Sequence, residues 1–529
     1  MKQRFLILSL VLLGGVAGYF RLVELDRAAV RSDEINFLNI AQGQQTIAGL
    51  WKNPPWQNQI PLADSIPVIW RSIRPGAVDE GVVREPFALI GIATVVGVAW
   101  WTMRRRGVWA GSIAGLWMAL LPFHLYQSRE AYYYVVVMAA SAGLTLYSVD
   151  LLLRLWRGEL LRWTSLFIWT AWAVTTCLTH MATWVVAGLL WALLLGAGWL
   201  MCPKDRRLML LGQFAASAGI IAVFMIRWIF RAVVEMQKVS QADGHLGGAF
   251  GWVGPRVLPF FTVGANLAGY IATALVLVAG LAVIAQSARR RWADADDRRL
   301  GALSVVTFTG FVAAYAYIGG VGGGAAKIAY FTTLLPIWIV WGSWSSDRLL
   351  ACLPARLAPV GRIGLLVVIG FVLTAPAWMV TRLDGKPVPY KTLRAWMDGE
   401  LEAGSVVVVD RWFEPWNEMA RYAPTNVTVT FTVPDEPYEN YRQLRWREVT
   451  QAAIESGQVQ AFMRLTRNHE ARDGLWMWPE TYFTRRAVVK NEAGLWLREH
   501  GYAANEDFYA ANTNRLIAEI FYDTREDRL

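Results

Sequence analysis

Leu121-Pro122-Phe123-His124-Leu125-Tyr126-Gln127-Ser128-Arg129-Glu130-Ala131-Tyr132-Tyr133-Tyr134 joins two long apolar runs, 107–123 and 132–153. A hydrocarbon core of about 30 Å is crossed by roughly 20 apolar residues of helix, at about 1.5 Å per residue. Residues 121–134 therefore form a polar wedge between two membrane spans. Charge so close to hydrocarbon is costly unless it is paired or used. Arg129 and Glu130 are either a structural ion pair, with each other or between helices, or part of a site at the membrane interface. The residues leave both readings open.

The same ruler applied outward gives about eleven candidate spans. They lie near 5–21, 86–103, 107–123, 132–153, 163–181, 182–201, 208–226, 264–286, 300–318, 328–345 and 363–380. Composition agrees. Of 529 residues 17% are charged, and the mean hydropathy is +0.32. Soluble domains carry about 25% charged residues, so an ordinary cytosolic enzyme is excluded. The 28 Trp suit the membrane interface. Three Cys are too few for a disulfide framework.

Charge orients the spans. With the N-terminus inside, the inner connections are 1–4, 104–106, 154–162, 203–207, 287–299 and 346–362. They hold 19 of the 51 Lys+Arg and six of the 41 Asp+Glu, leaving 32 basic against 35 acidic residues elsewhere. The basic excess lies on one side, as the positive-inside rule requires. Orientation thus explains the net charge of +10, and no nucleic-acid partner is expected. Met1-Lys2-Gln3-Arg4 and its apolar run lack a small-residue cleavage site and end in Tyr19-Phe20-Arg21. They read as a retained first helix.

Beyond 380 no spanning run occurs. Ser405–Asp410 and Asn426–Val433 read as strands, with Leu475–Trp478 and Leu516–Phe521 as weaker ones. Helical patterns fall at Pro415–Arg421, Arg447–Ser456 and Glu492–His500. The expected organisation is a polytopic α-helical membrane domain over 1–380 and a soluble α/β domain over 381–529, outside the membrane.

Two outer loops are long, about 22–85 and 227–263. The first opens on Arg31-Ser32-Asp33-Glu34. Ser32 before two acids is also an ordinary helix start. Adjacent helical residues point about 100° apart, so only one of the two carboxylates faces any one site. Arg227 and Arg231, in the second outer loop, read equally well as snorkelling interfacial arginines. His180 ends the fifth span; its default role is a polar cap, against a phosphate or metal contact. The five His have no metal-ligand spacing among them. Gly319-Gly320-Val321-Gly322-Gly323-Gly324 lacks the strand and the Lys-Ser/Thr of a phosphate loop and reads as a hinge beside Lys327. Asn426-Val427-Thr428 spells a glycosylation sequon and carries no weight alone. Trp412, Trp416, Trp476, Trp478 and Trp496 are core by default.

These stretches resemble the GT-C superfamily of polytopic glycosyltransferases, in the branch of protein-mannosyltransferase and aminoarabinose-transferase (family 39-like) relatives. Asp33-Glu34 matches the acidic pair after the first helix. Arg84-Glu85-Pro86-Phe87-Ala88-Leu89 resembles the R-x-P opening of the second. Pro122 through Tyr134 matches P…S-R/Q-E-A-R-x-Y, with Ser128, Glu130, Ala131 and Tyr134 in register. Tyr330 with Pro336 fits R-Y-x-x-x-x-x-P more loosely. Tyr132 and Ala329 stand where the family has Arg, and Lys327 is two residues from the second of these.

The resemblance implies inverting transfer of one sugar from a polyprenyl-phosphate donor to an acceptor hydroxyl on the periplasmic face of a bacterial inner membrane. The acceptor would be a lipid, a glycan or a protein, and membrane lipids would surround the chain. A hydroxyl is a poor nucleophile and needs a base. The catalytic acids implied are Asp33, as base, with Glu34 and Glu130. A leaving phosphate needs cations, here Arg129, Lys327, Arg227 and Arg231, with Tyr330. His180, Tyr134 and Arg84 would stand behind them. No cofactor is certain, and a divalent metal stays open. Two alternatives remain: a non-catalytic assembly subunit of the same descent, and a lipid-linked sugar transporter. The second would place charges deep within several spans, where they are scarce.

Overall fold

A computed structural model of the chain describes residues 2–26, 33–53, 60–159, 161–181, 183–242 and 332–383. It also describes positions 271, 273, 274, 277, 278, 394 and 397–399, and the segments 406–409, 424–431, 459–465, 502–510 and 515–523. The helices are α1 (Lys2–Leu22), α2 (Asp33–Asn39), α3 (Ile47–Lys52), α4 (Leu62–Ile73), α5 (Glu80–Arg106), α6 (Val108–Leu120) and α7 (Pro122–Arg129). They continue as α8 (Tyr133–Trp156), α9 (Trp163–Cys177), α10 (Thr183–Met201), α11 (Arg207–Ala242), α12 (Leu335–Ala351) and α13 (Ala358–Leu383). A π-helical stretch, Ile40–Gln44, joins α2 to α3.

Among the described residues six helices are long and apolar enough to cross a membrane, and seven if the bent pair α6–α7 is one span. This is a membrane protein. The helices α9, of 15 residues, and α12, of 17, are shorter. The candidate spans 264–286 and 300–318 lie almost wholly outside the described residues, as does the hinge reading of 319–324.

Local chemistry sets the α5–α6 hairpin. Asp79 caps α5, its Oδ1 accepting from the Val82 N–H at 2.8 Å. Arg104, Arg105 and Arg106 fill the last turn, where cations complement the helix dipole. Gly107, at φ 95°, then reverses the chain, a conformation that a β-carbon disfavours. In α6, a β-carbon at Gly111 would strike Met103 and one at Gly115 would strike Leu13. These glycines let α6 close on α5 and α1 around Leu13, Ala99 and Met103.

The basic stretches 104–106 and 346–362 are tied to the helices beside them. Arg105 pairs with Asp150 at 2.8 Å and Arg362 with Asp347 at 2.7 Å. Arg106 lies over the Trp344 ring.

Five strands form one mixed sheet: β1 (Val406–Val409), β2 (Thr428–Phe431), β3 (Val459–Leu465), β4 (Tyr502–Ala510) and β5 (Arg515–Asp523), in the order β2-β1-β3-β5-β4. β1 runs parallel to β2 and β3, whereas β5 is antiparallel to β3 and β4. β1 and β2 fall where the β-branched runs place them, and Leu516–Phe521 lies inside β5. The segment Leu475–Trp478 and the three expected helices are outside the described residues. The chain divides into two compact units, Met1–Leu25 with Phe37–Thr381, and Asp26–Asn36 with Arg382–Leu529.

Candidate active site

The wedge between the spans begins at Pro122, which has no N–H to give the Met118 carbonyl. The chain bends by 56° between α6 and α7. Breaking a helix inside a membrane leaves carbonyls that must find other donors. Arg21, fully buried on α1, supplies them: its Nη1 donates to the Ala119 carbonyl at 3.0 Å and its Nη2 to that of Met118 at 3.4 Å. Nη2 also lies 2.6 Å from Nδ1 of the buried His124. A guanidinium only donates, so Nδ1 accepts and the proton sits on Nε2.

Arg129, at the end of α7, serves α1 in turn. Its Nη1 donates to the carbonyls of Phe20 (3.1 Å), Arg21 (3.2 Å) and Val23 (2.8 Å). Its Nη2 donates to those of Glu24 (3.0 Å) and Thr381 (3.3 Å). Arg84, 2% exposed, donates to the Leu25 carbonyl at 3.0 Å. The end of α1, which carries no helical partners for its last carbonyls, is thus held by arginines from α5 and α7. Arg129, expected to meet a phosphate, gives its fork to five backbone carbonyls and is 8% exposed.

Glu130 follows in non-helical conformation and is half-buried. Three tyrosine rings come next. Tyr133 lies 4.2 Å from Tyr132 and 4.4 Å from Tyr134, centre to centre, and Tyr134 is buried. The half-buried His180 stacks on Tyr133, 4.7 Å away at 16°. Phe37 packs edge-on against Tyr132 and Phe87. Tyr134 and His180 therefore both lie against Tyr133, three residues along the chain from Glu130.

Other expected residues lie elsewhere. Asp33 heads α2, and its side chain is outside the described residues. Glu34, next in the same helix, is 2% exposed. Both belong to the second unit. Arg227 donates to the Lys52 carbonyl at 2.6 Å and lies over Trp228, whose ring meets Trp51 edge-on. It fastens α11 to the end of α3. Arg231, half-buried, lies one turn further along α11. Lys327 and Tyr330 are outside the described residues. Among the described residues no three His, Cys, Asp or Glu side chains are gathered to hold a metal.

The sequence reading missed Asp64. It lies on α4 in the first long loop, 1% exposed, and its Oδ2 has no hydrogen-bond partner. Burial pushes its carboxyl up to about 7. Its one signal in the sequence is an acid set between Leu62-Ala63 and Ser65-Ile66-Pro67. Such an acid trades protons near neutral pH. Because the folded value is raised, the unfolded chain gives up its proton first as pH rises. The cost to folding therefore grows from about pH 4 to pH 7 and levels off at on the order of 4 kcal/mol. Asp64→Asn is expected to raise the melting temperature more at pH 8 than at pH 5. An equal change at both pH values would refute the burial argument.

No family model matches the chain, and no curated protein matches it in sequence. Solved structures do match in fold. ArnT from Cupriavidus metallidurans in the apo state superposes with a TM-score of 0.50 at 12% identity, over 97% of each chain. The Archaeoglobus fulgidus oligosaccharyltransferase, tethered to an acceptor peptide, gives 0.50 at 13% identity, over 99% of this chain and 74% of that one.

Proposed function

We propose that this chain, which has the GT-C superfamily fold, is a membrane glycosyltransferase. It moves a sugar from a polyprenyl-phosphate donor to an acceptor hydroxyl on the periplasmic face of a bacterial inner membrane, with inversion. The observation that carries the reading is the wedge. A bent span ends in a half-buried carboxylate, Glu130, followed by tyrosine rings and His180. A carboxylate between two spans suits a phosphate-linked sugar carried by a lipid, and flat rings of this kind pack on sugar faces.

Asp33 takes the proton of the acceptor hydroxyl as that oxygen attacks the anomeric carbon from the side opposite the phosphate. One displacement inverts that carbon. Glu34 orients the acceptor or Asp33, and Glu130 faces the sugar. Charge builds on the departing polyprenyl phosphate, and with Arg129 committed to α1, Lys327, Arg231 and Arg227 answer it, with Tyr330. The sheet-bearing segment beyond 380 is read as a periplasmic α/β domain, and about eleven spans precede it.

Polyprenyl phosphate is the released product whatever the sugar, so it makes the first probe. By native mass spectrometry the purified chain is expected to retain one undecaprenyl phosphate against an excess of phosphatidylglycerol. Lys327→Ala and Arg231→Ala are expected to weaken that retention several-fold. Complete displacement of undecaprenyl phosphate by the excess phosphatidylglycerol would turn the reading toward a non-catalytic subunit.

A further inference from the structure

The hairpin of α10 and α11 carries a feature that sugar transfer does not use. Trp191, Ala192, Leu195, Gly196 and Trp199 line one face of α10. With Leu211 of α11 they bound an open apolar groove of about 410 Å³. From Trp191 to Trp199 the groove runs about 12 Å along the helix. Its floor is open at Gly196, where a β-carbon would meet no atom within 4 Å. Neither backbone strain nor packing therefore demands a glycine there, and the missing side chain leaves room for something else.

The groove ends at the basic turn Pro203-Lys204-Asp205-Arg206-Arg207. The Arg207 guanidinium lies 5.0 Å from the centre of the Trp199 ring, so a cation sits on the groove's own wall. The buried Nε of Arg207 has no hydrogen-bond partner. Lys204 is exposed. Asp205, the one acid in the turn, lies 3.8 Å from Arg206. The mouth is therefore net positive and the groove is apolar.

We infer that this groove binds one anionic glycerophospholipid, with an acyl chain along Trp191, Gly196, Trp199 and Leu211 and the phosphate at Arg207 and Lys204. Charge complementarity names the occupant. A neutral lipid would leave the cations unanswered, and basic pockets between membrane helices suit anionic head groups. The inference rests on the orientation read from the charge pattern, in which this turn is on the inner side, so the occupant is a lipid of the inner leaflet and not the sugar donor.

The test is native mass spectrometry of the full chain, released from nanodiscs of equal phosphatidylglycerol and phosphatidylethanolamine, then challenged with undecaprenyl phosphate. One retained phosphatidylglycerol, favoured about tenfold, is expected. Gly196→Leu, which fills open space, should cut retention at least fivefold. The pair Lys204→Gln with Arg207→Gln should abolish the preference for the anionic lipid. Equal retention of both lipids, or retention indifferent to Gly196→Leu, overturns the inference. So does displacement by undecaprenyl phosphate that is itself lost in Gly196→Leu, which would make the groove a polyprenyl site. Undecaprenyl phosphate binding that persists in Gly196→Leu, with phosphatidylglycerol lost, supports it. Failure of the donor reading would appear separately, in the Lys327 and Arg231 variants.

Discussion

Asp33→Asn is expected to lower sugar transfer by about 10²- to 10⁴-fold, the usual contribution of a positioned general base. Asparagine keeps the size and the acceptor oxygen but cannot take the proton that the attacking hydroxyl must lose. Lipid binding should survive, because the proton transfer enters only at the transition state. The measurement is release of polyprenyl phosphate from a labelled donor, alongside donor binding by the same variant. Glu34→Gln is the informative neighbour. Glu34 is 2% exposed, so its loss should lower the melting temperature as well as the rate. Asp33→Asn should lower the rate alone. Turnover by Asp33→Asn within a few-fold of the parent would sink the assignment. Complementation of a deletion strain by that variant would favour an assembly subunit.

Arg129→Leu is expected to unfold the helical unit several degrees earlier than the parent. Five carbonyls lose donors at once. Leaving a buried polar group unsatisfied costs about 1–3 kcal/mol, and removing one partner of a buried charged cluster about 3–5 kcal/mol. Lysine should not rescue, since one ammonium cannot reproduce a planar fork reaching carbonyls on both α1 and α13. Arg21→Leu should act similarly by orphaning the Met118 and Ala119 carbonyls. Each arginine secures the same junction of α1 with the broken span, so the double variant should lose less than the sum. Thermal unfolding followed by size exclusion reads all three. An Arg129→Leu protein that melts like the parent yet fails to bind undecaprenyl phosphate would restore the phosphate role.

Much of the architecture was legible because a bilayer imposes a length. The runs at 5–21, 132–153 and 182–201 became α1, α8 and α10 within a few residues. Strands were less legible. Val406 to Val409 announces β1 by four β-branched residues. β3, Val459–Leu465, alternates Val, Ala, Met and Leu with polar positions, but Phe462 falls in the polar phase and blurs the period. β4 carries Asn505, Glu506 and Asp507, poor strand formers. It sits at the sheet's edge, where charge guards against unwanted pairing.

The sequence by itself marked the apolar runs long enough to cross a membrane and showed which connections are basic. Those follow from local properties: apolar length and charge count. Tertiary structure alone decided what the charges do. Arg129 answers carbonyls more than 100 residues away in the chain, Arg227 reaches Lys52, and Asp64 loses its water to packing. A side chain's partners are fixed by which distant backbone meets it in space. In a medium without water, every freed carbonyl takes the nearest donor it is given.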